Sequence, residues 1–228
     1  MGINKGVGKS SWYFNLLIIY LSIMKAVIVC NGEPPSGNLL KQEVVGCDFI
    51  IGADGGGQIL LEEGITPYAV IGDLDSFEAP EKAGFKVIQN RDQETNDLEK
   101  ALELVLSKEV IDCVILGGFG KHIDHLLKNL SVLQAYNNRF RSLVMRDEHQ
   151  DAFIMRPNFS ATYPVGTKLS LFPISGKVEG VVTKGLKYPL NSESLENGVR
   201  DGSSNKTIEE RVTITYGSGT LIGIVSNS

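Results

Sequence analysis

The strongest constraint on the fold is a regular alternation of short β-branched runs with helical patterns between Met24 and Tyr136. The predicted strands lie at 25–30, 49–52, 69–71, 85–88 and 112–116, and the predicted helices at 37–45, 57–63, 97–106 and 123–136. Such apolar strands need cover on both faces. The alternation therefore predicts an α/β domain with a mostly parallel sheet flanked by helices.

After about residue 138 the pattern changes to short strands separated by turn residues, with no convincing helix between them. These strands are predicted at 141–146, 151–155, 168–172, 178–183, 211–216 and 220–225. Their spacing favours an antiparallel β-sandwich as a second domain. We expect the α/β domain at residues 24–145 and the all-β domain at 146–228, packed firmly together because no flexible linker separates them.

The first 23 residues are interpreted as an extension outside the folded chain. Their apolar stretch, Trp12 to Ile23, is too short to span a membrane. A strand begins directly after Met24, which looks like a natural chain start. The Gly6–Ser10 segment imitates a phosphate-binding loop, but Ile3 stands where that loop needs its first glycine.

The composition argues against several classes of protein. With 42% hydrophobic and 21% charged residues, the chain is globular rather than disordered. A net charge of −5 argues against nucleic acid as a partner and favours a small-molecule substrate. Three cysteines in apolar surroundings, with no CxxC spacing, are interpreted as buried thiols in a reducing compartment, which places the protein in the cytoplasm.

Acidic residues and glycines follow the predicted parallel strands, at the sheet edge where open α/β folds bind ligands. Asp73 and Asp75 come directly after a strand and can direct carboxylate oxygens at one Mg²⁺ ion. Asp54 and Asp97 can join them. Any single aspartate is more often a turn or capping residue, but clustered carboxylates without a cation would repel one another. The set therefore predicts a magnesium site.

Two further segments reach the same edge. Gln93 and Asp97 sit at a helix start, where an amide and a carboxylate could hold substrate and metal, although capping alone would also explain this segment. The glycine-rich segment 117–120 allows close approach of phosphate to backbone. Asp124 and His125 follow it on the first turn of the next helix, where a histidine is usually structural.

The acidic pair alone also fits a haloacid-dehalogenase-like phosphatase or a metal-dependent glycosyltransferase. In those phosphatases the pair normally follows the first strand, whereas Asp73 and Asp75 follow the third. A non-catalytic protein that binds a nucleotide or another small molecule without turnover is a further alternative. A pure binder has no need for four clustered acids, which disfavours this last alternative.

Taken together, the motifs resemble the thiamine pyrophosphokinase family over nearly all of residues 24–225. The motifs are Asp54-Gly55-Gly56, Gly72-Asp73-Leu74-Asp75-Ser76, Asp92-Gln93 with Thr95-Asn96-Asp97, Gly117 to His125 with Asn129, and Ser203-Ser204-Asn205. The resemblance implies transfer of a diphosphate group from ATP to thiamine, which gives thiamine diphosphate and AMP. It also implies a homodimer whose active sites are shared between subunits.

The resemblance assigns roles to individual residues of this sequence. The implied metal ligands are Asp54, Asp73, Asp75 and Asp97, and the implied catalytic residues are Asp73, Asp75, Asp97 and Asp124. The implied ATP contacts are Asn31, Gly32, Asp54, Gly55, Gln93, Thr95, Gly117, Gly118, Gly120, Lys121, His122 and His125. The implied thiamine contacts are Gln93, Asp124, Leu186, Ser203, Ser204 and Asn205.

Two of these segments have a plainer interpretation. Without the resemblance, residues 184–190 would be the end of a strand and residues 202–205 a turn.

The chain also departs from the family at one position, since an arginine usually precedes the Leu-Asp-His motif and His122 stands there instead. Lys121 can supply positive charge, but lysine cannot reproduce the bidentate grip of arginine on phosphate.

Overall fold

A computed structural model describes residues 24–227, so the predicted extension and its Gly6–Ser10 segment lie outside the described part of the chain. The α/β half contains six strands: β1 (Lys25–Val29), β2 (Phe49–Ala53), β3 (Ala69–Gly72), β4 (Lys86–Gln89), β5 (Asp112–Leu116) and β6 (Ser142–Arg146). Its helices are α1 (Gly37–Val44), α2 (Gly56–Glu62), α3 (Asp97–Leu106) and α4 (Ile123–Tyr136), followed by a 3₁₀ turn at Asn137–Arg139.

These six strands form a parallel array in the order β6-β5-β1-β2-β3-β4. Side chains of β1 alternate between two cores, as the twofold period of a strand requires. Ala26 and Ile28 pack with residues of α3 and α4, whereas Val27 and Val29 pack with Leu40 of α1 and Leu60 of α2. Helices therefore cover both faces of the sheet, which explains the continuous apolar runs.

The remaining strands are antiparallel, and their bounds are β7 (Gln150–Ile154), β8 (Asn158–Thr162), β9 (Lys168–Pro173), β10 (Lys177–Lys184), β11 (Asn191–Glu196), β12 (Gly202–Lys206), β13 (Arg211–Thr215) and β14 (Leu221–Ser226). Strands β12, β9, β14 and β7 extend the parallel array into one ten-stranded sheet. The other four form a separate sheet in the order β11-β10-β13-β8.

A second apolar core joins the two sheets. Leu169 and Leu171 of β9 pack with Val181 of β10 and with Val212 and Ile214 of β13. The four-stranded sheet therefore forms a sandwich with the antiparallel end of the long sheet. The predicted fold class, an α/β part followed by an antiparallel sandwich, is confirmed.

The predicted boundary near residue 145 falls where β6, parallel to β5, is followed by the antiparallel β7. Hydrogen-bonded pairing continues across this point, so both halves share one sheet. Residues 202–205, a turn by local sequence, instead lie in β12. The domain limits at 24–145 and 146–228 stay a proposal.

Among the residues that the structure describes, no helix is long and apolar enough to cross a membrane.

The prediction of buried thiols is correct for Cys30 and Cys113 and wrong for Cys47, which is only partly buried, so the three cysteines differ in expected reactivity. Burial raises the pKa of Cys30 to about 12 and raises that of Cys113 as well, whereas Cys47 is only partly buried and its pKa is raised mainly by burial. Alkylation requires the thiolate. In native protein at pH 8 we expect iodoacetamide to modify Cys47 first and to leave Cys30 and Cys113 intact until urea unfolds the chain.

Peptide mass spectrometry at successive times would measure the three modification rates separately. Native Cys30 reacting as fast as it does in urea would contradict the burial assigned to it.

Candidate active site

A cavity of about 540 Å³ lies at the carboxyl ends of the central parallel strands. Its lining comes from the loops after β1, β2, β3 and β5 and from the starts of α3 and α4. The predicted site residues among the lining are Asn31, Gly32, Asp54, Asp73, Asp75, Asp97, Gly117, Gly118, Gly120, Lys121, His122 and His125. A cavity of this size suits a small-molecule ligand.

Three of the four predicted metal ligands meet inside this cavity. One carboxylate oxygen from each of Asp54, Asp73 and Asp97 lies within 4.8 Å of the other two. Gly72, at the end of β3, makes this approach possible. A Cβ atom there would lie 2.9 Å from the Asp54 Cβ and 3.1 Å from the Asp97 Oδ1. Any larger residue would push the acids apart.

Asp54 is the most buried of the three acids, with 5% of its surface exposed. Its Oδ1 is buried and has no hydrogen-bond partner. Its backbone is left-handed, with φ of 46°. Burial raises the pKa of Asp54, hydrogen bonds from Gly55 and Ser76 oppose that rise, and the Asp97 charge adds to it. A buried, unpaired carboxylate oxygen beside two other carboxylates is what a hard cation would satisfy.

Lys100 supplies a fixed positive charge beside this group. Only 4% of its side chain is exposed, and its Nζ lies 3.0 Å from the Asp97 Oδ1. The two residues stand three positions apart on α3, so they share a helix face. The ammonium offsets part of the negative charge and fixes the orientation of the Asp97 carboxylate.

Asp75 lies in the same cavity but outside the three-acid group. Its Oδ1 accepts a hydrogen bond of 2.9 Å from the Ser76 hydroxyl, and its backbone N–H points to the Asp73 Oδ1 at 3.3 Å. Leu74, between the two acids, is left-handed with φ of 66°. This turn directs the two side chains of the Asp-x-Asp pair differently. A ligand role for Asp75 stays a prediction.

The glycine-rich loop after β5 is held against the loop after β1. The Gly117 and Phe119 carbonyls accept hydrogen bonds of 2.8 Å from the N–H groups of Gly32 and Glu33. A Cβ on Gly32 would lie 2.3 Å from each of these oxygens. Close backbone contact, rather than turn geometry alone, therefore requires glycine at position 32.

One lysine and two histidines of the cavity follow this loop. Lys121 is left-handed with φ of 51°, and its Nζ donates to the Asn31 carbonyl at 3.0 Å and to the Asn31 Oδ1 at 3.2 Å. The rings of His122 and His125 lie 5.6 Å apart at the start of α4. His122, which stands where the family usually has an arginine, and the adjacent Lys121 thus both line the cavity.

Four other predicted residues do not line this cavity. Gln93 and Thr95 line a smaller groove of about 260 Å³, which shares Asp73 and Asp97 with the main cavity. Asp124 is exposed on the first turn of α4, where its Oδ1 accepts from the His125 N–H at 2.9 Å. Gly55 packs against the Asn31 side chain.

The predicted thiamine residues of the second half lie elsewhere. Leu186 is buried in the sandwich core. Asn205 is buried, and its side-chain amide exchanges two hydrogen bonds of 3.0 and 2.8 Å with the backbone of Tyr188. Ser203 and Ser204 are exposed on β12, and the Ser204 N–H bonds the Ser170 hydroxyl at 3.1 Å.

Strand β12 is an edge strand of the long sheet, and four strands separate it from β5. With about 4.8 Å between neighbouring strands, β12 and β5 are roughly 24 Å apart along the sheet. Within one chain, the predicted thiamine residues of β12 are therefore far from the acidic group.

Comparison with known proteins identifies this arrangement. Residues 40–145 match the model of the thiamin pyrophosphokinase catalytic domain, and residues 158–221 match that of the thiamin pyrophosphokinase vitamin B1 binding domain. Together these matches cover well over half of the chain. The chain belongs to the thiamin pyrophosphokinase family.

Individual members of the thiamin pyrophosphokinase family are similar to this chain over most of its length. Thiamine pyrophosphokinase of Bacillus subtilis is 28% identical over 192 residues, which cover 77% of this chain and 86% of the relative. Thiamin pyrophosphokinase 1 of Caenorhabditis elegans is 24% identical over 89% of this chain and 90% of its own length. The crystal structure of the Bacillus subtilis protein superposes with a TM-score of 0.78 at 26% identity, covering 89% of this chain and 98% of that one.

Sequence reasoning assigned no role to two groups in this thiamin pyrophosphokinase site. Lys100 was detectable in principle, because it follows Asp97 by three residues and interrupts the apolar face of α3. Asn96 and Asn129 hydrogen-bond each other across the gap between α3 and α4. Nothing in the local pattern indicates that contact, because 33 residues separate them along the chain.

Proposed function

We propose that this chain is a thiamine diphosphokinase that transfers the diphosphate group of ATP to thiamine and releases AMP. Family membership supports the proposal, and the observation that carries it is the group formed by Asp54, Asp73 and Asp97 with its unpaired buried oxygen. Carboxylates placed beside a glycine-rich loop suit a cation and a phosphate chain. We propose Mg²⁺ as the cation, held by these three acids with Asp75 beside them.

In the proposed reaction the hydroxyl oxygen of thiamine forms a bond to the β-phosphorus of ATP. The bond from that phosphorus to the oxygen bridging the α- and β-phosphates breaks, and AMP leaves with the bridging oxygen. Bound Mg²⁺ would neutralise phosphate charge. The chain's own contribution is positioning and charge compensation, since phosphoryl-type transfer needs little covalent work from protein.

The residues at the cavity have different proposed roles in this reaction. Lys121, His122 and His125 lie at the start of α4, whose N-terminal end favours anions, and suit the triphosphate. Lys100 holds Asp97 in place. Of the two acids predicted to take the hydroxyl proton, Asp97 lines the cavity and Asp124 does not, so we assign that proton first to Asp97.

The separation of β12 from the acids supports a homodimer. We propose that thiamine binds where the partner subunit brings its own Ser203 to Asn205 region to this cavity, because the same region of one chain lies too far away. We also place the enzyme in the cytoplasm, where its free cysteines would stay reduced.

Incubation of the purified chain with ATP, Mg²⁺ and thiamine tests the proposed function. Chromatography should detect AMP and thiamine diphosphate in equal amounts, and Asp73→Asn should lose turnover while its circular dichroism remains that of the wild type. ADP with thiamine monophosphate would identify a simple kinase and overturn the proposal. Binding of both substrates without any product would identify a non-catalytic binding protein.

A further inference from the structure

Three successive carbonyl groups of the glycine-rich loop are anchored in two different ways. The outer two, on Gly117 and Phe119, accept from the loop after β1. The middle one, on Gly118, accepts a hydrogen bond of 2.9 Å from the Nδ2 of Asn129 on α4. Asn129 is buried, with 9% of its surface exposed.

The other end of the Asn129 amide reaches α3. Its Oδ1 accepts a hydrogen bond of 3.1 Å from the Nδ2 of Asn96. Asn96 is the N-cap of α3, because its Oδ1 accepts from the Glu99 N–H at 2.9 Å. The next residue, Asp97, belongs to the three-acid group. Two side-chain amides therefore connect the glycine-rich loop to the helix turn that carries Asp97, one of the proposed metal ligands.

Backbone groups fix the orientation of both amides. The Gly118 carbonyl can only accept, so the Asn129 amino group must face it. The Glu99 N–H can only donate, so the Asn96 carbonyl oxygen must face that group. The Asn96 amino group then donates to the Asn129 side-chain oxygen, so every contact of the bridge pairs a donor with an acceptor.

We propose that Asn129 is a positioning residue for diphosphate transfer: it sets the distance between the glycine-rich loop and Asp97, acting through Asn96. This inference rests on the proposed function. The phosphates and the cation must be aligned together, and a displacement of about 1 Å can reduce turnover by roughly 100-fold.

The fold should tolerate loss of the bridge. Lys128 and Glu99 form a second link between α4 and α3, with Nζ and Oε2 2.8 Å apart. The capping box of α3 depends on Asn96 and Glu99 and not on Asn129. Substitutions at position 129 can therefore be examined in folded protein.

Two variants of the full-length protein test the bridge from its two ends. Asn129→Leu removes both of its hydrogen bonds, whereas Asn96→Ser keeps a good N-cap and removes only the donor to Asn129. We expect each to reduce kcat by 10- to 100-fold, with a smaller change in the KM for ATP. The double variant should be no worse than the more impaired single one, because both remove the same bridge.

Ser131→Ala is the matched control on the same helix, since the Ser131 hydroxyl bonds only to the Leu127 carbonyl on the solvent side. Its kcat should equal that of the wild type. Hydrogen exchange without substrates gives a readout independent of catalysis. Amides of residues 117–121 should exchange at least about tenfold faster in both bridge variants than in Ser131→Ala.

The outcomes separate this inference from the proposed function. If the wild type makes thiamine diphosphate and Asn96→Ser keeps full kcat while Asn129→Leu does not, Asn129 contacts a ligand directly and the positioning role is overturned. If both variants keep wild-type kcat, the positioning role is likewise overturned. If the wild type makes no thiamine diphosphate, the proposed function fails. In that case, unchanged amide hydrogen exchange of residues 117–121 in both bridge variants would also overturn the proposed role of the bridge in holding the glycine-rich loop.

Discussion

Asp54→Asn is expected to lower diphosphokinase activity by at least about 100-fold while it stabilises the cation-free protein by about 1 kcal/mol at pH 7. The wild-type carboxylate is buried, and its Oδ1 is unpaired beside two other acids. Asparagine has the same shape, carries no charge and tolerates the left-handed backbone at this position. The variant therefore loses one ligand of the proposed cation site and also removes the electrostatic cost of burying the Asp54 charge.

The pH dependence of this gain follows from the raised pKa of Asp54. The folded state holds the Asp54 proton more tightly than the unfolded chain, whose aspartates ionise near pH 3.9. Wild-type stability should therefore fall as pH rises from about 4 through the folded pKa. The advantage of Asp54→Asn over wild type should be absent below about pH 4 and complete once the pH exceeds the folded pKa of Asp54.

Urea denaturation with and without Mg²⁺ would measure both effects. Added Mg²⁺ should stabilise the wild type and leave Asp54→Asn unchanged. Glu179→Gln is a suitable control, because Lys177 holds the pKa of the exposed Glu179 below its usual value, opposite in sign to Asp54. A lower stability of Asp54→Asn than of wild type at pH 7 would contradict the assigned burial cost.

Gly56→Ala is expected to destabilise the protein by about 3 kcal/mol, at the upper end for overpacking of a buried site. Gly56 begins α2 directly against the end of β1. A Cβ atom there would lie 1.8 Å from the Val29 carbonyl oxygen and 2.5 Å from its carbon. Since both partners are backbone atoms, the helix must move away from the sheet, and the Asp54 turn must move with it.

Gly84→Ala provides the comparison, because a Cβ at that exposed position meets nothing within 4 Å. Its stability should equal or slightly exceed that of the wild type. The urea midpoint of Gly56→Ala should fall sharply at an unchanged m-value. Similar midpoints for the two variants would show that α2 can shift without cost.

The buried strands and helices were predictable because their side chains follow a clear period. Helix α3 and strand β5 begin and end where the sequence predicts. Three strands escaped prediction, namely β8, β11 and β12, and all three lie at sheet edges. Edge strands bury less surface, so their apolar pattern is weak: β8 alternates only Phe159 and Ala161 with polar residues. The polar sequence Asn191-Ser192-Glu193-Ser194 of β11 shows no such pattern.

The candidate site was predictable where it follows strand ends. Asp54 and Asp73 follow adjacent parallel strands, which brings them to one edge by topology alone. Contacts between helices were not predictable, because the pairing of Asn96 with Asn129 depends on how α3 and α4 pack. The differing directions of Asp73 and Asp75 depend on a left-handed Leu74, which local sequence does not indicate.

Strand β14 lies between β7 and β9 and pairs with both, although it follows both in the chain. During synthesis its two neighbours leave the ribosome first, with β10 to β13 still to come before Leu221–Ser226. Until β14 arrives, β9 and β12 have no strand that joins them to the α/β half. The sandwich half must therefore dock late, and shortening the chain before Leu221 would remove an interior strand and divide the long sheet in two.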